Sequence, residues 1–93
     1  KMEQNKEQGV SLSNLPNIGP VLEQQLHAVG ILTAEDLKQT GTKAAWLRIQ
    51  QIDSSACIHR LQALEGAITG VKKSQLSPEV KEDLREFYQW HKM

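Results

Sequence analysis

The chain has one cysteine, Cys57, so it can close no internal disulfide and lacks the paired thiols of a redox or zinc motif. Its three histidines, His27, His59 and His91, stand far apart, with no Cys, Asp or Glu at ligand spacing, and no metal site is expected. No apolar run approaches the ~20 residues that cross a bilayer. The stretch Lys1 to Gln8 has no apolar signal core. Aromatic residues are scarce: Trp46, Phe87, Tyr88 and Trp90. An excess of charge is missing too, since eleven Lys and Arg balance eleven Asp and Glu. A neutral chain lacks the broad positive field that draws nucleic acid non-specifically. No Lys or Arg lies between Lys6 and Lys38. These absences point to a soluble, cytoplasmic domain with no cofactor, no metal, no membrane contact and no small-molecule substrate.

What is present is helical punctuation. In Leu15-Pro16-Asn17-Ile18-Gly19-Pro20, two prolines fix φ and one glycine permits a reversal, so the stretch reads as a hairpin between helices. Gly19 is expected at positive φ or at a close backbone contact. Leu22, Leu26 and Val29 then share a helix face, and Gly30 closes that helix. Thr33 with Asp36 forms a capping-box pattern for the next helix, which stops at Gly41. A fourth helix is predicted over Lys43 to Gln51. Ser54 or Ser55 is expected to cap a fifth, with Cys57, Leu61, Leu64 and Ile68 as its apolar stripe. Gly66 inside that helix costs roughly 1 kcal/mol against Ala, which a close helix crossing there would offset. Gly70 ends it. Ser77-Pro78-Glu79 starts the last helix, with Val80, Leu84, Phe87 and His91 along one face. No strand pattern, repeat or low-complexity segment appears. The expected fold is all-α, with five to six short helices in a small helix-hairpin-helix, SAM-like domain over residues 10–93. Residues 1–9 read as a flexible tail or linker.

Several of these blocks occur together at a recognisable separation. They are the hairpin, Val29-Gly30-Ile31, Thr33 with Asp36-Leu37, Trp46-Leu47-Arg48, and Ala63-Leu64-Glu65-Gly66-Ala67-Ile68-Thr69-Gly70. Together, over about residues 11–88, they closely resemble the C-terminal domain of TfoX/Sxy-type proteins, bacterial regulators of competence for DNA uptake. The resemblance implies an all-helical domain with a role in gene regulation. It brings no catalytic or ligand residue with it. In full-length members a separate N-terminal domain precedes this one, so the chain is either a piece of such a protein or a stand-alone version.

Two modes of action are open to a non-catalytic module of this kind. One is docking on a protein, another regulator or a second copy, through an apolar helix face. The other is DNA contact, with amides at Asn17, Ile18 and Gly19 on a phosphate and Lys72 and Lys73 adding charge. Neutrality and the acidic Glu23 beside the hairpin favour the protein partner. The hairpin then serves as a rigid corner, with Leu15, Pro16 and Ile18 packing and Gly19, Gly30, Gly66 and Gly70 setting geometry. Lys72 and Lys73 offset a helix dipole, and Lys38, Lys43 and Arg48 form a scattered solvated set. Cys57 reads as a small buried hydrophobe. Trp90 lies off the apolar line of its helix and either caps the core or rests in a partner's groove.

Overall fold

Local sequence explains each turn of the chain in a computed structural model that describes residues 10–92. The expected tail, residues 1–9, lies outside the described residues. A 3-10 turn, Leu12–Asn14, leads into the hairpin. Helix α1 runs Pro20–Ala28, with Pro20 in its first turn, and Gly30 follows at φ 88°. Helix α2, Ala34–Thr40, begins at a complete capping box between Thr33 and Asp36. Gly41, again at φ 88°, separates it from α3, Thr42–Ile52. Helix α4 runs Ile58–Thr69 and closes on Gly70 in the left-handed region. A second 3-10 turn, Lys73–Gln75, precedes α5, Pro78–His91, whose cap is the Ser77 hydroxyl accepting from the Val80 amide. Among the described residues the only β-pairing is a single bridge between Ser11 and Thr33. The fold is the expected all-α one.

Helix α4 is the central element: α2, α3 and α5 all pack on it, and α3 and α5 do so most extensively. Leu61, Leu64 and Ala67 supply its buried face. The largest core residue is Trp46 of α3, which is fully buried. Its ring meets Phe87 and Tyr88 of α5 edge-on, at centroid distances of 6.0 and 5.8 Å. Its indole N–H donates to the Cys57 carbonyl at 3.2 Å. The amide of buried Gln50 donates to the His91 carbonyl at 2.7 Å and so ties α3 to the last turn of α5. His91 itself is exposed and stacks on Phe87 at 4.1 Å, so it covers the edge of the apolar face without joining it.

Two sequence expectations fail around the start of α4. Neither Ser54 nor Ser55 caps the helix; its N-cap is Cys57, without a side-chain cap bond. Cys57 is accordingly half-buried at the helix start rather than sunk in an apolar stripe. The reason is Asp53. Its carboxylate accepts from the Ser55 hydroxyl and amide, from Gln25 of α1 at 2.8 Å and from Arg60 of α4 at 2.8 Å. The serine is used in this turn, and the helix starts later. Of the two readings of Trp90, capping the core is excluded, since the residue is 85% exposed.

The same four donors, the Ser55 hydroxyl first and then Gln25, Arg60 and the Ser55 amide, hold the Asp53 carboxyl well below the usual carboxylate range. Its folded pKa lies below the unfolded value of about 3.9. The cluster's stabilisation is therefore fully present above that value and drains away as pH falls through the folded one. We predict that Asp53→Asn is less stable than the parent at pH 7, and that the gap narrows steadily below about pH 4. Thermal melts from pH 7 to pH 2 check this; a gap of constant size would remove the carboxylate from the account.

Candidate functional site

The hairpin turns at Asn17. Asn17 has φ 71°, whereas Gly19 has φ −95° and ψ −179°, ordinary extended backbone. A Cβ at Gly19 would meet nothing within 4 Å. The expectation of positive φ or close contact at Gly19 is therefore corrected: the left-handed residue of the motif is the asparagine two positions earlier, one of the few non-glycine residues that tolerate it. Ile18 is buried, and its amide turns inward to the Leu15 carbonyl at 3.5 Å. Leu15 and Pro16 are half-buried.

The Asn17 side chain is fully used inside the molecule. Its amide N–H groups donate to the carbonyls of Val71, at 3.0 Å, and Ala63, at 3.4 Å; its Oδ1 accepts from the Lys73 amide at 3.0 Å. The hairpin is thereby pinned to the chain that leaves α4. Gly66 makes the room. A Cβ on Gly66 would collide with Asn17 Nδ2 and with the Val71 carbonyl. The glycine in the helix is therefore required by a close approach, as expected, but the approaching element is the hairpin asparagine and the post-helix loop rather than another helix. Of the residues proposed for phosphate contact, Asn17 and Ile18 are committed internally.

Gly19 alone of that hairpin trio borders open space. It lies on a groove of about 390 Å³ with Pro20, Leu22, His59, Arg60 and Lys73. Three cation-capable side chains thus reach the N-terminal turn of α1, although none is near it in sequence. Arg60 is tied to Asp53, however, and both groups are mostly covered, with side chains 24% and 27% exposed. Lys73 joins the groove and Lys72 does not, so that pair divides. Lys43 ion-pairs with Asp83 of α5 at 2.9 Å instead of joining a basic patch. His59 and Arg60 carried one readable sign: two cation-capable residues in the first turn of a helix, where the dipole disfavours them.

Nothing in the described residues assembles catalytic groups. Asp36 completes its cap, Glu65 accepts the Thr42 hydroxyl at 2.7 Å, and Glu79 lies in the first turn of α5. No three of His, Cys, Asp and Glu come together there as metal ligands. No helix among the described residues is long and apolar enough to cross a membrane.

Two predictions follow from the hairpin geometry. Gly66→Ala destabilises the domain by about 1–3 kcal/mol through overpacking, despite the gain in helix propensity; Gly19→Ala meets no clash and costs less, at most about 1 kcal/mol, for the loss of a glycine at the α1 N-cap. Urea titrations compare the two, and equal effects would contradict the assignment. Asn17→Ala loses the three bonds and strains the turn, costing about 2–4 kcal/mol, while Asn17→Gly recovers the backbone part, about 1 kcal/mol. If the Ala and Gly variants melt together, the positive φ at position 17 carries no energy.

The chain is similar to known proteins in sequence and in fold. A family model described as the TfoX C-terminal domain matches residues 8–88. Protein Sxy of Escherichia coli strain K12 is 37% identical over 76 residues, which cover 82% of this chain and 36% of Sxy. The chain therefore spans 36% of that relative's length. A triclinic crystal structure of an uncharacterized Listeria monocytogenes protein superimposes with a TM-score of 0.86 at 46% identity, covering 90% of this chain and 99% of that one. A tetragonal form of a Listeria monocytogenes protein of unknown function gives 0.84 at 49% identity, covering 86% and 98%. The family match over residues 8–88 and the identity with Sxy establish that the chain belongs to the TfoX C-terminal domain family.

Proposed function

We propose that this domain is a cytoplasmic, non-catalytic module of a competence-type gene regulator, and that it acts by docking on a protein through helix α5. Trp90 is the observation that carries this reading. The domain buries Trp46 completely and leaves Trp90 85% exposed on the same helix that supplies the lid over Trp46. An exposed tryptophan is costly in water and is enriched at the centres of protein interfaces. Around the helix from Leu84, the outward surface is charged on both sides, which suits the rim of a protein contact. The experiment is to place a photo-crosslinking p-benzoylphenylalanine at position 90 in the producing cell, with position 35 of α2 as control. A discrete protein adduct from position 90, absent from position 35, supports the reading. Adducts of equal pattern from both sites, or none, would overturn it.

A DNA-contact reading keeps one specific observation in its favour, the convergence of His59, Arg60 and Lys73 on the first turn of α1. Its weakness is that Arg60 is already paired and that the hairpin asparagine is spent. We therefore expect random duplex DNA to bind no tighter than about 10⁻⁴ M at physiological salt, with a shallow salt slope, because each phosphate contact contributes only about −0.9 to it. Fluorescence anisotropy at two salt concentrations measures both. Micromolar binding with a steep slope, lost in Lys72→Glu with Lys73→Glu, would put DNA first.

A further inference from the structure

Helix α5 divides its charges by side. With Leu84 turned into the core, Glu79, Asp83 and Glu86 fall along one flank, and Lys81, Arg85 and Lys92 along the other. The basic flank borders a groove of about 310 Å³ between α4 and α5. Ile58 and Tyr88 give it an apolar floor; Gln62 and Gln89 add amides; Lys81 and Arg85 stand at its edge. Tyr88 is anchored from behind by Trp46, and Lys92 lies over its ring at 6.0 Å. Lys81 and Arg85 are four residues apart, so their charges repeat at one helical turn, about 5–6 Å. Among the described residues no side-chain hydrogen bond or ion pair engages Lys81, Gln62, Gln89 or Tyr88, and the Arg85 guanidinium has only an exposed partner, Glu82, on its own helix.

We propose that this groove receives an acidic helical segment of a partner protein, with an aliphatic side chain between two carboxylates one turn apart. The proposal rests on α5 being the docking helix and names the chemistry of a segment bound on its basic flank, across the helix from Trp90. Charge complementarity selects the occupant. Two cations one turn apart match carboxylates at the same spacing, and the Ile58–Tyr88 floor takes the aliphatic group. A nucleic acid fits less well, because the basic flank offers only Lys81, Arg85 and Lys92, and Arg85 is already beside Glu82. A second copy fits less well too. Around a two-fold axis the outward surfaces would oppose Glu82 and Glu86 to themselves.

The probe is a fluorescein-labelled, alanine-based helical peptide containing Glu-Leu-Ala-Ala-Glu, with a control carrying Lys in place of both Glu. The acidic peptide binds in anisotropy and the control does not. Lys81→Glu with Arg85→Glu weakens binding at least about tenfold. Both side chains are on the helix surface, and circular dichroism confirms that the double variant stays folded. Substituting Lys43→Glu, on the other side of α5, leaves binding unchanged. Equal binding of the two peptides, no effect of the double reversal, or tighter binding of a labelled duplex to the same residues would overturn the proposal. So would a concentration-dependent rise in mass by sedimentation that the reversal abolishes, since the occupant would then be a second copy. The position-90 crosslink is independent of these residues. If it persists while the groove variants do nothing, α5 stands as the docking helix and only the groove assignment falls.

Discussion

A single asparagine side chain, lodged where a helix has no Cβ, fixes how the first third of the molecule meets the rest. Asn17 can stay at positive φ because its amide is held by two carbonyls and the Lys73 amide. Those groups are within reach only because Gly66 presents bare backbone. The Val71 carbonyl, left over past the end of α4, finds its donor there. With the hairpin held in place, Ile18 and Leu22 are buried and join α1 to the core. The Asp53 cluster then ties α1 to the start of α4 from the other end, through Gln25 and Arg60. These two polar attachments hold α1 where apolar area alone is limited, in a chain with few large side chains to bury.

The same economy bears on function. Hairpins of this kind can offer amides to a phosphate, but here the motif's own side chain is consumed by the fold, and one of the nearby cations is consumed by Asp53. The docking helix proposed above, α5, carries both an unburied tryptophan and a sharp split of charge. Neutral net charge is thus the sum of opposed flanks rather than an absence of electrostatic pattern. Opposed flanks favour orientation of a protein partner over non-specific attraction of a polyanion.

The fold was legible wherever a signal is local. Thr33 with Asp36, Ser77 before Pro78, and Gly30, Gly41 and Gly70 each specify a terminus by the chemistry of one turn, and each appears as read. Errors arose where a residue had two local options and a distant contact chose between them. Gly19 and Asn17 can both take positive φ; the Val71 carbonyl and the Lys73 amide beyond α4 select Asn17. Ser55 can cap a helix or turn back on Asp53; Gln25 from α1 and Arg60 from within α4 select the turn. Gly66 announced a close approach, yet its partner lies 49 positions earlier by number, at Asn17, and no local pattern names it. The groove residues were hidden for the same reason. Ile58, Gln62, Lys81 and Tyr88 are unremarkable along the sequence and become one surface only when α4 and α5 pack.

Asn17 and Gly66 act as one unit, and a double-mutant cycle measures that directly. Gly66→Ala is made in the parent and again in Asn17→Gly, and the four unfolding free energies are compared by urea titration. The account predicts coupling: with the asparagine side chain gone, the added methyl loses one of its two collisions and costs at least about 1 kcal/mol less than in the parent. Additive free energies, within about 0.5 kcal/mol, would show two independent positions and would contradict the hairpin lock from which the rest of the structure follows.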